Sequence, residues 1–333
     1  MFTAVTADRT IDLDARPDGR GRLLAPPDRP LLGWERKPHG WCRGEACLPA
    51  FRAAEAETPD GVDVAVFAGL TGQVAVIDEA ERAVAFADKP QTPATGEAPD
   101  FTLDGVSLAD FRGRKVALVF WASWCGCRYD LPAWQERHAA LAEHGFTVVT
   151  IACDRSPDDA RPWIEEAAPA HPTLIDAEGA VAERYGVVNV PTVVWVDEQG
   201  RVARPQETQT ATDLFRSMNG LDSEASYAAL RRWVLEGDAG LTADRARELL
   251  RVPTEDEQRA RAHARLAVWL AREGRREAAL RHVDAAAALA PHDVAIRRGL
   301  MPLTGEDPFG DAYFALRDEL EKAEIPLYRP LDL

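Results

Sequence analysis

Residues 115–134 read KVALVFWASWCGCRYDLPAW, and the order of residue types in that stretch decides the kind of fold. Lys115 to Trp121 is a short apolar run rich in Val and aromatic residues, the pattern of a strand buried on both faces. Leu131 to His144 follows with Leu131, Trp134, His138 and Leu141 at helical spacing, and Gly145 stands as its C-terminal stop. Cys125 and Cys127 lie where the strand hands over to the helix. In open α/β sheets this is where reactive groups gather, and free amides at a helix start lower a cysteine pKa below its ordinary value of about 8.5. Cys125 is therefore the predicted nucleophile.

Working outward, Phe146 to Ala152 reads as a second buried strand, Asp158 to Ala168 as a helix and Thr173 to Ile175 as a short strand. Ala180 to Tyr185 is a helix ended by Gly186. Pro191 to Asp197, a turn at Gly200 and a strand at Val202 complete a mixed α/β sheet flanked by helices. Upstream, Asp88 to Pro99 carries Lys89-Pro90, Thr92-Pro93, Gly96 and Pro99, a linker composition. Residues 1–90 form an accessory unit with an alternating segment around Thr10 to Leu13, a Pro-rich stretch Pro26 to Pro30 and an apolar segment Val62 to Ile77; its fold is not legible. Beyond about residue 222 the chain is helical. Leu266, Ala267, Leu270, Gly274, Ala279, Val283, Ala286 and Pro291 sit at the offsets of one tetratricopeptide repeat, with helices such as Asp311 to Lys322 as caps. Three units are expected: 1–90, 98–205 and 222–325.

Phe120-Trp-Ala-Ser-Trp-Cys-Gly-Cys-Arg-Tyr-Asp-Leu-Pro132 resembles the active site of the TlpA/ResA-like thiol:disulfide oxidoreductases, redoxin-type members of the thioredoxin superfamily. Ala98 to Leu103, Val106 to Gly113 and Tyr185 to Thr192 resemble further segments of that family in the same order. The resemblance implies a thioredoxin-like fold and disulfide exchange at Cys125. It implies that Pro191 is cis and that Val190 offers backbone hydrogen bonds to an extended substrate. Trp124 and Thr192 would line the same place.

One feature departs from the family. Its cysteines are separated by two residues, whereas only Gly126 separates Cys125 from Cys127. Residues i and i+2 of a regular helix project to nearly opposite sides, so a Cys125–Cys127 bond needs non-helical backbone, which Gly126 tolerates. The resolving thiol is then Cys127 or, from the end of the neighbouring strand, Cys153; burial as a small apolar residue is the other reading of Cys153.

In the accessory unit, His39-Gly-Trp41-Cys42-Arg-Gly-Glu45-Ala-Cys47 brings two more cysteines. Cys42 and Cys47 are candidates for a second redox pair or for zinc ligands, alone or with Cys127, against simple burial; zinc would need further ligands. His138, His171, His263 and His282 show no local partner pattern. A thiol peroxidase of peroxiredoxin type is an alternative function, weakened because Ala122 and Leu118 stand where that family has Thr and Pro. A non-catalytic scaffold binding a partner or metal is the alternative from another class.

The net charge of −16 offers little to phosphate backbones or anionic lipid, and no apolar run approaches the roughly 20 residues of a membrane helix. Nucleic acid and membrane are thus not expected partners; a protein or small-molecule disulfide is the expected substrate, and the helical C-terminal unit a docking place for a protein. The polar, acidic stretch Met1 to Leu13 predicts a cytoplasmic protein, where five cysteines serve catalysis, sensing or metal rather than bridges.

Overall fold

The computed structural model describes residues 1–7, 9–89 and 96–332 and divides the chain into two compact units. The first joins Met1–Pro90 to Pro253–Pro291, and the second joins Gln91–Val252 to His292–Leu333. The predicted linker Asp88 to Pro99 has Pro90, Thr92 and Pro93 outside the described residues.

The first unit is built on a four-stranded sheet in the order Gln73–Asp78, Ala83–Asp88, Phe2–Val5, Thr10–Leu13. Phe2–Val5 runs parallel to Ala83–Asp88 and antiparallel to Thr10–Leu13. Side chains alternate across such a sheet. Phe2, Ala4, Val84 and Phe86 accordingly pack on one side with Trp34, Trp41 and Phe67, the last from the helix Val64–Leu70. Asp63 caps that helix, its carboxylate accepting from the amides of Ala65 at 3.0 Å and Val66 at 3.1 Å. Val5, Val74, Val76, Ala83, Ala85 and Ala87 pack on the other side against Ala262, Leu266, Leu270, Ala278 and Ala279. These belong to the helical hairpin Glu255–Arg272 and Arg276–Leu289.

The expected all-helical unit 222–325 is therefore not what the structure shows. A single helical pair cannot bury its own apolar face, and here a sheet covers it where neighbouring repeats would in a tetratricopeptide array. The remaining helices of that span belong to the second unit.

The second unit has a thioredoxin-like fold. Its five strands are ordered Thr173–Ile175, Phe146–Ala152, Lys115–Trp121, Thr192–Val196, Val202–Glu207. The first three run parallel and the last two antiparallel to their neighbours. Leu118, Phe120, Val149, Ile151, Val194 and Val196 face one layer of the core, with Leu131 and Tyr185. Ala117, Val119, Val148, Val193 and Trp195 face the other, under Trp134 of the helix Leu131–Leu141 and Leu230 and Trp233 of the helix Ser223–Glu236. Trp233 stacks on Trp195 with ring centroids 4.9 Å apart.

The helices Val294–Thr304 and Asp311–Lys322 and the tail beyond them close on this fold. The Ala295 amide donates to the Val188 carbonyl at 2.8 Å, Asn189 Nδ2 to the Leu327 carbonyl at 2.7 Å, and Thr208 N to the Arg329 carbonyl at 3.0 Å. No described helix is long and apolar enough to cross a membrane.

Candidate active site

Cys125 follows the central strand and is the extended N-cap of a 3-10 turn, Gly126–Asp130, which runs into the helix Leu131–Leu141. The backbone between the cysteines is therefore not α-helical. The extended conformation turns the Cys125 sulfur back over the turn, where Sγ accepts the Cys127 amide at 3.4 Å. The same sulfur donates to the Val190 carbonyl at 3.3 Å, and the Val190–Pro191 peptide is cis. Cys125 and Pro191 line one cavity of about 120 Å³.

The two thiols are electrostatically unequal. A hydrogen bond from the Cys127 thiol, together with the charge of Arg298 and the Cys127 amide, holds Cys125 below its ordinary pKa against the opposing effects of burial and Asp130. Burial, the bond to Cys125, and the negative fields of Cys125 and Asp130 push Cys127 well above. Both are buried, as is Cys153, and all three are thiols. Cys153 closes the strand beside the central one, its amide donating to the Trp121 carbonyl at 2.7 Å and its thiol directed at the Ile151 carbonyl at 3.9 Å.

Gly126 has a steric reason to be glycine. Its φ lies outside the left-handed region, but a Cβ there would stand 2.5 Å from the Phe215 ring. Phe215 thus lies against the residue between the two cysteines.

Val190 is less available than the resemblance implies. Its amide donates to Asn189 Oδ1 at 2.9 Å and its carbonyl takes the Cys125 thiol, so both polar groups are engaged. Thr192 Oγ1 turns back to the Asn189 carbonyl at 2.7 Å. Trp124 forms a wall, packed under the helix Val294–Thr304, where a Cβ on Gly299 would touch its ring at 3.5 Å.

Sequence reasoning missed the groups that roof the site. Arg298 lies over the rings of Tyr313 at 3.7 Å, Phe309 at 5.0 Å and Trp124 at 5.5 Å. Phe309, Tyr313, Phe314 and Tyr328 line the cavity with it. An arginine on an amphipathic helix reads as a solvated residue, and nothing local marks it as the cation of a distant thiol. Asp130 was also missed. It is buried, accepts from the Ala211 amide at 3.0 Å and Thr212 Oγ1 at 2.6 Å, and its pKa is raised by burial. Asp154 accepts the Ser123 amide at 3.0 Å behind the active-site loop, and burial pushes it up to about 6.

The four histidines singled out above pair off, and none of them lines the cavity. His138 and His171 meet edge to face at 5.4 Å, and His263 Nδ1 is 2.8 Å from His282 Nδ1. In the first unit, Cys42 and Cys47 are joined by a disulfide.

Residues 94–204 match the AhpC/TSA family. They include Cys125, Cys127 and the cis Pro191. Over 112 residues the chain is 30% identical to the thiol-disulfide oxidoreductase ResA of Bacillus thuringiensis subsp. konkukian, covering 32% of this chain and 65% of that protein. It is 34% identical over 113 residues to the thioredoxin-like protein YneN of Bacillus subtilis, covering 31% and 65%. The chain thus spans 65% of the length of each of these relatives. Among solved structures, the thioredoxin domain of a thiol-disulfide oxidoreductase from Bacteroides vulgatus aligns with a TM-score of 0.35 and 28% identity, over 42% of this chain and 98% of that one. The family match falls within the second unit.

Proposed function

We propose that this chain is a thiol:disulfide oxidoreductase, acting in the cytoplasm, with Cys125 as nucleophile and Cys127 as resolving thiol. The observation that carries the reading is the inequality of the pair beside Pro191: one sulfur is favoured as thiolate and its neighbour is kept protonated. The Cys125 thiolate attacks one sulfur of the substrate disulfide, and the other substrate sulfur leaves as a thiolate that takes up a proton. Once Cys125 is consumed in the mixed disulfide, its negative field on Cys127 is gone. Cys127 then loses its proton, attacks Cys125 Sγ and releases the second substrate thiol. An external dithiol returns the pair to its reduced form. Cys153, at the end of the adjacent strand, is the second candidate for the resolving role.

The aromatic roof bears on the substrate. A cavity of about 120 Å³ under Phe309, Tyr313 and Tyr328 favours a slim disulfide, a small molecule or an extended peptide end, over one recessed in a folded protein. The test is reduction of insulin and of a low-molecular-weight disulfide by the wild-type chain and Cys125→Ser. Turnover lost in the variant supports the reading, whereas equal rates would leave a non-catalytic scaffold. Hydrogen peroxide consumption with a thiol donor is the parallel arm, and a rate above free thiol that depends on Cys125 would move the assignment to a peroxidase.

A further inference from the structure

The first unit holds a second thiol site with a third residue at its side. The strands Gly40–Arg43 and Ala46–Pro49 form a tight hairpin in which Cys42 stands directly opposite Cys47. Directly opposed residues project to the same face of a ladder. The chain entering this hairpin is pinned. The Ala50 amide donates to the His39 carbonyl at 2.9 Å, and a Cβ on Gly40 would fall 2.0 Å from the Leu48 carbonyl oxygen, so only glycine fits. The imidazole of His39 is thereby held over the sulfur pair, with Nε2 at 3.3 Å from Cys42 Sγ and 3.7 Å from Cys47 Sγ.

Those two distances are the edges of a metal tetrahedron. With metal–sulfur bonds of about 2.3 Å and a metal–nitrogen bond of about 2.0–2.1 Å, tetrahedral zinc places nitrogen and sulfur roughly 3.6 Å apart and two sulfurs roughly 3.8 Å apart. In the disulfide form the two nitrogen–sulfur edges, 3.3 and 3.7 Å, already lie within about 0.3 Å of that length, and the main change needed is for the sulfurs to part. Cys42 is buried while Cys47 and His39 are exposed, which leaves the fourth position open to water.

We propose that the reduced first unit binds one soft divalent cation of the zinc class through Cys42, Cys47 and His39, and that formation of the Cys42–Cys47 disulfide expels it. An external dithiol delivers two electrons and two protons to the disulfide, becoming a disulfide itself and leaving two cysteine thiols. The cation displaces both thiol protons. In reverse, a disulfide oxidant takes two electrons from the metal-bound thiolates, the protein disulfide forms, two oxidant-derived thiolates take up protons, and the cation leaves. In a reducing compartment the dithiol is the standing state, so the metal-bound form is the one expected there.

The test uses the full chain carrying Cys125→Ser, Cys127→Ser and Cys153→Ser, so that Cys42 and Cys47 are the only thiols. After reduction by a phosphine, titration with cobalt(II) should give a thiolate-to-metal charge-transfer band that saturates at one equivalent and is bleached by zinc. His39→Ala should weaken binding at least about 10-fold, and the oxidised chain should show no band. Absence of the band in the reduced chain, a band insensitive to His39→Ala, or a band in the oxidised chain would each overturn the proposal. Should the triple variant fail to fold, the same titration of the wild-type chain is compared with His39→Ala alone, and identical isotherms would have the same overturning force.

Discussion

Cys42 and Cys47 have four residues between them and are bonded, whereas Cys125 and Cys127 have one between them and are not. Distance along the chain is therefore a poor guide to what two sulfurs do. A hairpin ladder sets its pair face to face, so that the sulfurs are natural partners and the outer one is open to solvent. A 3-10 turn sets its pair one behind the other, with the amide of the second aimed at the sulfur of the first. The hairpin pair is thus placed to share a bond or a metal. The turn pair is placed to be unequal, and inequality is what stepwise thiol exchange needs.

The largest test of this contrast is functional. Cys125→Ser should lower disulfide-reductase turnover by about 1,000-fold or more, while Cys42→Ser should leave it within about twofold, both read as initial rates. Comparable losses in the two variants would mean that the pairs work in series and would break the distinction.

Burial, complete for the turn pair and partial for the hairpin pair, also reaches Asp154 and His171, and it gives them opposite pH signatures. Asp154 is raised from 3.8 to about 6, so its native form holds a proton that the unfolded chain has released, and its stabilising contribution is lost as pH rises through about 6. His171 is lowered from 6.5 to about 4, so its contribution is present above about 6.5 and is lost as pH falls through about 4. Asp154→Asn removes the first and leaves the second. Unfolding free energy measured by denaturant should then climb more steeply with pH between about 4 and 6, the change amounting to about 3 kcal/mol over the window. An unchanged slope would show that Asp154 ionises freely in the folded chain.

Packing around the turn gives the next effect. Gly126→Ala should cost about 2 kcal/mol through its collision with Phe215, and Phe215→Ala in the same chain should recover most of that cost, as measured by a double-mutant cycle in urea. A neutral Gly126→Ala would show that the ring swings away at little cost. The smallest effect concerns the distant cation: Arg298→Gln should move the midpoint of Cys125 alkylation to higher pH with no change in fold, and an unmoved midpoint would remove Arg298 from the account of the thiolate.

Much of the second unit was readable because strands buried on both faces are continuous apolar runs; Phe146–Ala152 and Thr173–Ile175 have the bounds their composition implies. The helices beyond residue 222 were readable as helices but not as neighbours. Periodicity says which face of a helix is buried and not what buries it, so Leu266 and Leu270 suggested capping helices where the structure supplies the valines and alanines of a sheet. The site divides the same way. Cys125, Trp124 and Pro191 lie in motifs that local order marks, whereas Arg298, Tyr313 and Phe215 come to the sulfur only through the path of the whole chain. His39 stood in the quoted motif, yet its place over both sulfurs depends on which residues of the hairpin face each other.

The first unit is assembled from residues 1–90 and 253–291, with the sheet in one piece and its helical cover in the other. A ribosome delivers these pieces far apart in time. Until the later helices emerge, the nascent sheet presents Val5, Val74, Val76 and its alanines to water, and an edge-to-face mispairing with other chains is open to it. A fragment ending at Val252 would carry that bare face permanently, and one beginning after the linker would leave Ala262, Leu266 and Leu270 of the hairpin uncovered instead, so the redox centre is best studied in the full chain.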